Sequence, residues 1–191
     1  MKKRMLSVLS AVVVAVAMSL SGAISAFAAV TDNPPLTSGT GALKWAAKIG
    51  AMTPPTIYNN AVYVASGKNV YVINKNTGAT MKKSVTLASS LGYTTLPLTI
   101  AGGKVFAPLS NGTIEALDAV TLSKITTVTI DGKGQTISPV IYHESAGGDA
   151  YLYTGTYNGA GVNGTYAGID ITSGQLLWAK TNPGGYHWAG A

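Results

Sequence analysis

Three prolines, Pro54, Pro97 and Pro139, each open the same layout: an apolar run, a short turn, an aromatic-centred run, a second turn, a third run, and then an Asn or Asp. Tyr63 lies nine residues beyond Pro54 and Phe106 nine beyond Pro97; in the third copy the spacing puts Tyr151 in that place, twelve beyond Pro139, with the excess assigned to residues 143–148. The copies close on Asn74-Lys75-Asn76-Thr77-Gly78, Asp118-Ala119-Val120-Thr121-Leu122 and Asp170-Ile171-Thr172-Ser173-Gly174. A recurring unit of roughly 40 residues cannot bury its own faces, so it must stack against neighbours of the same kind.

The closing segment has a physical reading. An Asn or Asp side chain can accept N–H groups of the turn that follows it, and a glycine four residues on supplies a left-handed backbone position at no steric cost. Asn74, Asp118 and Asp170 fill the first role, Gly78 and Gly174 the second, while Leu122 stands where a third glycine is expected. Trp178 follows Gly174 by four residues, and Trp45 follows Gly41 by the same interval; Lys82 and Thr126 occupy that place in the other copies. A Trp on the last strand of one unit is expected to cover the seam with its neighbour.

Beyond the amino-terminal segment no long helical periodicity appears. Short alternating runs such as Ala61-Val62-Tyr63-Val64-Ala65 and Val70-Tyr71-Val72-Ile73 are separated by Asn59-Asn60, Gly102-Gly103, Asn111-Gly112 and Gly147-Gly148-Asp149. Residues that tolerate positive φ between alternating runs mark tight strand reversals. The expectation is an all-β fold, a partial β-propeller of four-stranded antiparallel blades, preceded by an amino-terminal signal helix. Residues 39–191 form the repeat region, with units at about 50–84, 93–130 and 136–181. Propellers usually close with 4–8 blades, so the register that stops at Ala191 is expected to belong to a larger protein.

Residues 166–178, Tyr-Ala-Gly-Ile-Asp-Ile-Thr-Ser-Gly-Gln-Leu-Leu-Trp, resemble the Ala-x-Asp-x-x-Thr-Gly-x-x-x-Trp signature of pyrroloquinoline-quinone-like propeller repeats. Residues 72–78 and 116–121 are weaker copies. The resemblance implies quinoprotein-type blades and raises the question of the quinone. Dehydrogenases of that type hold it between a Trp floor and an adjacent-cysteine disulfide, with a calcium ion and a catalytic Asp. Cysteine is absent here. Asp118 and Asp170 read as blade-turn residues, Asp131 belongs to an Asp-Gly hairpin, and Asp149 abuts a Gly-rich turn. His143 and His187 fall in different units and lack metal-ligand or triad spacing. No catalytic residue, cofactor ligand or metal ligand is assigned.

The amino end runs Met1-Lys2-Lys3-Arg4, then an apolar stretch, then Ala26-Phe27-Ala28-Ala29. That order is a signal peptide, residues 1–28, with a small-x-small cleavage site; residues 29–38 are a linker. Membrane contact is then limited to the transient signal, and without cysteine there is no lipid-bearing residue after it. The expected location is secreted or cell-surface, periplasmic in a host with two membranes. Removal of Lys2, Lys3 and Arg4 leaves 10 bases against 7 acids, a net charge of +3, with no basic cluster beyond Lys82-Lys83. Phosphate backbones demand a concentrated basic face, so nucleic acid is excluded as a partner.

Tyr157 and Tyr166 flank a Gly-rich segment, and His187 and Trp188 follow downstream. These four are the candidate ligand face, suited to a protein, peptide or glycan through aromatic stacking. The expected function is a non-catalytic binding or scaffolding module within a larger cell-surface or extracellular protein. The rival is the first portion of a quinone- and calcium-dependent periplasmic dehydrogenase.

Overall fold

The computed structural model describes residues 43–50, 52–92, 96–136, 138–159 and 161–186. The signal at 1–28, the linker at 29–38, and His187 and Trp188 lie outside the described residues. All strands belong to one compact unit that begins at Lys44.

Blade 1 comprises β1 (Thr56–Tyr58), β2 (Ala61–Ser66), β3 (Asn69–Asn74) and β4 (Thr80–Lys83). Blade 2 comprises β5 (Thr99–Ala101), β6 (Lys104–Pro108), β7 (Thr113–Asp118) and β8 (Lys124–Thr129). Blade 3 comprises β10 (Ile141–Glu144), β11 (Ala150–Tyr157), β12 (Gly164–Asp170) and β13 (Gln175–Asn182), with the short β9 (Gln135–Thr136) paired to the far end of β11. Every pairing is antiparallel, and within each set of four strands the pairing is sequential, the pattern of four-stranded propeller blades.

Register fixes the equivalences. Ala61 lies opposite Asn74, Lys104 opposite Asp118, and Tyr151 opposite Asp170. Two residues further along, Tyr63, Phe106 and Tyr153 face Thr56, Thr99 and Ile141 across the first hairpins. The counterpart of Tyr63 and Phe106 is therefore Tyr153, and the spacing that pointed to Tyr151 is corrected by two. The first hairpin of blade 3 has a longer loop and also one more paired residue on each strand than those of blades 1 and 2. In the shorter hairpins, Asn59 and Asn60, and again Gly102 and Gly103, all adopt positive φ. That geometry matches the right-handed twist of the flanking strands.

The blades stack face to face, and strand alternation divides the core in two. Blade 2 sends Val105, Ala107 and Leu117 toward Ala61, Tyr63, Val70 and Val72 of blade 1. Its opposite face sends Phe106, Ile114, Ala116 and Val128 toward Leu152, Ala167 and Ile169 of blade 3. Each large apolar side chain so buried contributes about 1.5–3 kcal/mol. A middle blade covered on both sides explains why β6 and β7 read as nearly continuous apolar runs. Hydrogen bonds repeat along the inner seam as well: the Thr56 hydroxyl donates to the Leu98 carbonyl at 2.8 Å, and the Thr99 hydroxyl to the Val140 carbonyl at 2.5 Å.

One irregularity recurs in all three blades. The ladder between the third and fourth strands slips between Val72 and Ile73, between Ala116 and Leu117, and between Gly168 and Ile169. The extra residues are Met81, Ile125 and Leu177, all exposed. A bulge of this kind bends a strand and re-aims the side chain beside it. Here that side chain belongs to Lys82, Thr126 or Trp178.

Candidate functional site

The blade-closing turns are built alike. Asn74 Oδ1 accepts the N–H groups of Asn76 and Thr77 at 2.8 and 3.1 Å. Asp118 Oδ1 accepts those of Val120 and Thr121 at 2.9 and 2.7 Å, and Asp170 Oδ1 those of Thr172 and Ser173 at 2.8 and 3.2 Å. Four residues on, Gly78, Leu122 and Gly174 take φ of 73°, 59° and 74°. Leu122 thus adopts the glycine conformation despite its Cβ, and its side chain is held in the core between blades 1 and 2. Burial of the leucine offsets the left-handed strain of about 1–2 kcal/mol.

These bonds set the charge state of the turn acids. The N–H and hydroxyl of Thr121, together with the Val120 N–H and the Lys82 charge, outweigh burial and hold the Asp118 carboxyl below its ordinary value of 3.8. The Ser173 hydroxyl and N–H, with Thr172, do the same for Asp170. Both remain anionic at neutral pH as acceptors for their own turns.

In blades 1 and 2 the residue beyond the bulge faces the next turn, and Trp45 makes the corresponding contact one unit earlier. Trp45 lies on the Gly78 turn, its Nε1–H donating to the Lys75 carbonyl at 2.8 Å. A Cβ at Gly78 would stand 2.6 Å from the indole, so glycine is required there for contact as well as conformation. Lys82 donates its ammonium to the Val120 carbonyl in the turn of blade 2, an electrostatic version of the same contact. The Thr126 hydroxyl sits 3.7 Å from a Cβ position on Gly174. Trp178, 39% exposed, folds back over Gly168 of its own blade, near Tyr153 and Tyr166 at ring-centre distances of 6.2 and 5.8 Å.

Of the candidate ligand face, Tyr157 and Tyr166 are described, and they have different surroundings. Tyr157 lines a cleft of about 270 Å³ between blades 2 and 3, together with Ser110, Lys133, Gln135 and Asn158. Tyr166 packs instead against Trp178 and Tyr186, 5.8 and 5.3 Å away, with its hydroxyl buried. The turn at Gly185, where a Cβ would meet the Tyr157 ring at 2.7 Å, belongs to the segment running past both. His143 stacks on Tyr151 at 6.4 Å.

Asp131 shapes the cleft. Its Oδ1 accepts the N–H groups of Lys133 and Gly134 at 3.0 and 3.3 Å, and its Oδ2 accepts the Thr156 hydroxyl at 2.5 Å and the Asn158 amide at 3.2 Å. Asn158 in turn donates to the Asn163 carbonyl at 2.6 Å, which ties down the loop after β11. Burial alone would raise the Asp131 pKa, but the donors from Thr156, Lys133, Asn158 and Gly134 bring it below 3.8. The sequence points to a hairpin at Asp131-Gly132; the structure has a tight turn there but no hairpin, because β8 pairs with β7 and β9 with β11. The clasp from this turn to blade 3 had no sequence signal. Glu115 was also missed. It is fully buried on β7, with Oε1 accepting the Ala88 N–H at 3.1 Å and pairing with Lys124 at 3.4 Å. An acid within the apolar run Thr-Ile-Glu-Ala-Leu was the available signal.

The donor set does not fit a quinone–calcium site. Asp118, Asp131 and Asp170 are occupied by their own turns, no cysteine exists for a disulfide, and no three His, Asp or Glu converge among the described residues.

No family model matches the chain, and no curated protein matches it. Among solved structures it is similar to BamB from Moraxella catarrhalis, with 21% identity, 73% of this chain and 40% of that one covered, and a TM-score of 0.55. A europium-containing methanol dehydrogenase matches with 21% identity over 73% of this chain and 27% of that one, TM-score 0.56. The computationally designed Ika8 protein matches with 18% identity over 72% of this chain and 39% of that one, TM-score 0.53. The chain therefore spans less than half the length of each. The likeness is one of fold, and the fold is that of propeller blades.

Proposed function

We propose that the chain is a secreted, non-catalytic binding or scaffolding module of quinoprotein-like blades, part of a larger cell-surface or extracellular protein. The observation that carries this reading is the disposition of the carboxylates. Asp118 and Asp170 are taken up by donors of their own turns and Asp131 by its turn together with Thr156 and Asn158, while the cleft beside Asp131 presents Tyr157, hydroxyls, amides and one lysine. Polar hydrogen-bonding groups beside an aromatic ring suit a protein segment, a peptide or a glycan. They do not supply an electron acceptor or a general base. Export rests on the charged, apolar and small-x-small order of residues 1–28.

The test pairs a binding screen with an activity assay. The purified protein is expected to be retained on peptide or glycan arrays, with signal lost in Tyr157→Ala, and to give no dye reduction when supplied with pyrroloquinoline quinone, calcium and an alcohol or sugar. Quinone-dependent dye reduction would overturn the reading in favour of a dehydrogenase.

A further inference from the structure

A second cleft, of about 390 Å³, crosses the same seam at the other end of the strands. The first cleft lies by the turns after β6 and β11, whereas this one lies by the hairpins after β5 and β10 and the turn after β12. Its volume falls in the range typical of small-molecule sites. Ile125 of blade 2 and Ile171 of blade 3 are apolar walls. Tyr142 also lines it, its ring stacked on buried Phe106 at 5.8 Å and 26°.

Two opposite charges line this cleft from different blades, Lys104 from β6 and Glu144 from β10. They do not close on each other: the one ion pair among the described residues joins Lys124 to Glu115. Each is instead tethered locally. Lys104 donates to the Gly102 carbonyl at 3.3 Å, and Glu144 Oε2 accepts the Tyr142 hydroxyl at 2.8 Å. Burial and the Glu144 contact raise the Tyr142 pKa, so its phenol remains a donor. Gly102 completes the floor, because a Cβ there would reach the Tyr142 hydroxyl at 2.5 Å.

A neutral ligand satisfies neither charge, and a simple anion or cation satisfies one while meeting repulsion from the other. A dipolar molecule satisfies both. A sugar would match the charges less well and would place hydroxyls against Ile125 and Ile171. We propose that this cleft binds a free amino acid with an apolar side chain, its carboxylate on Lys104, its ammonium on Glu144, and its side chain between the two isoleucines.

Both charged side chains are partly open to water, so binding in the millimolar range, about −4 kcal/mol, is expected. The experiment is an amide chemical-shift titration of the full chain with leucine, N-acetyl-leucine and leucinamide. Leucine should shift Gly102 and Gly148 saturably and leave Gly159 beside the first cleft unmoved. Each blocked compound should bind about tenfold more weakly. Lys104→Met should abolish the preference for leucine over leucinamide while keeping that over N-acetyl-leucine, and Glu144→Gln should do the reverse. Equal binding of the blocked compounds, preference for glucose over leucine, or no saturable shift would each overturn the proposal. None of these outcomes bears on the Tyr157 cleft, which is read by a different probe and a different variant.

Discussion

Replacing Gly78 by alanine separates the two reasons for a glycine in a blade-closing turn. At φ of 73° an L-residue sits in the left-handed region, which costs about 1–2 kcal/mol. The new Cβ would also lie 2.6 Å from the Trp45 ring, so the indole must move and its bond to the Lys75 carbonyl is weakened. Loss of that bond adds about 0.5–1.5 kcal/mol, and displaced packing takes the expected total to about 2–4 kcal/mol. Gly67 supplies the control: its φ is 58°, and no atom lies within 4 Å of its Cβ position. Gly67→Ala should therefore show the backbone cost alone, about 1–2 kcal/mol. Urea unfolding followed by tryptophan fluorescence and circular dichroism measures both. In a Trp45→Ala background the Gly78→Ala cost should fall to that of Gly67→Ala, giving a coupling energy of about 1–2 kcal/mol in the double-mutant cycle. Equal costs at the two glycines in the native background, or no coupling to Trp45, would refute the docking of the indole on this turn.

Three further outcomes are expected. Leu122→Gly relieves left-handed strain but empties a site that is 1% exposed, and since truncating a buried leucine costs about 2–5 kcal/mol the variant should be less stable by about 1–3 kcal/mol in the same unfolding assay. Asp131→Ala strands the Thr156 hydroxyl and the Asn158 amide and should cost about 2–3 kcal/mol at neutral pH; because the folded pKa of Asp131 lies below 3.8, its contribution is present above the unfolded value and vanishes as pH falls through the folded one, so urea midpoints of wild type and variant should converge in acid. Lys82→Met removes a favourable charge from Asp118, and the carboxyl should titrate at higher pH in a carbon-detected NMR titration, with its turn bonds intact.

The parts legible in the sequence were those fixed by neighbours in the chain. The turns at Asn74, Asp118 and Asp170 depend on a side chain reaching N–H groups two and three residues on, so their chemistry is local and readable. Leu122 hid its left-handed backbone because leucine gives no sign of it; the compensating core is assembled from residues of blades 1 and 2 and of the segments joining them. The misplacement at Tyr151 has a similar cause, since counting residues in a hairpin does not reveal how many of the extra ones extend the ladder. Tyr157 and Tyr166 flank one loop, but strand alternation and the returning segment at Gly185 and Tyr186 give them separate surroundings. Lys104 and Glu144 lie 40 residues apart and come to line one cleft through the stacking of two blades, a juxtaposition that no local pattern encodes.

The bulge shared by the three blades bears on how such a chain can drift. Because the ladder slips at the same place in each blade, the backbone position after the extra residue is the same whatever side chain it carries. Tryptophan, lysine and threonine can then succeed one another at a single position without shifting the ladder behind them. The chemistry of one joint can then differ from the next within a single chain. The blade keeps its shape at that joint while the letter there changes.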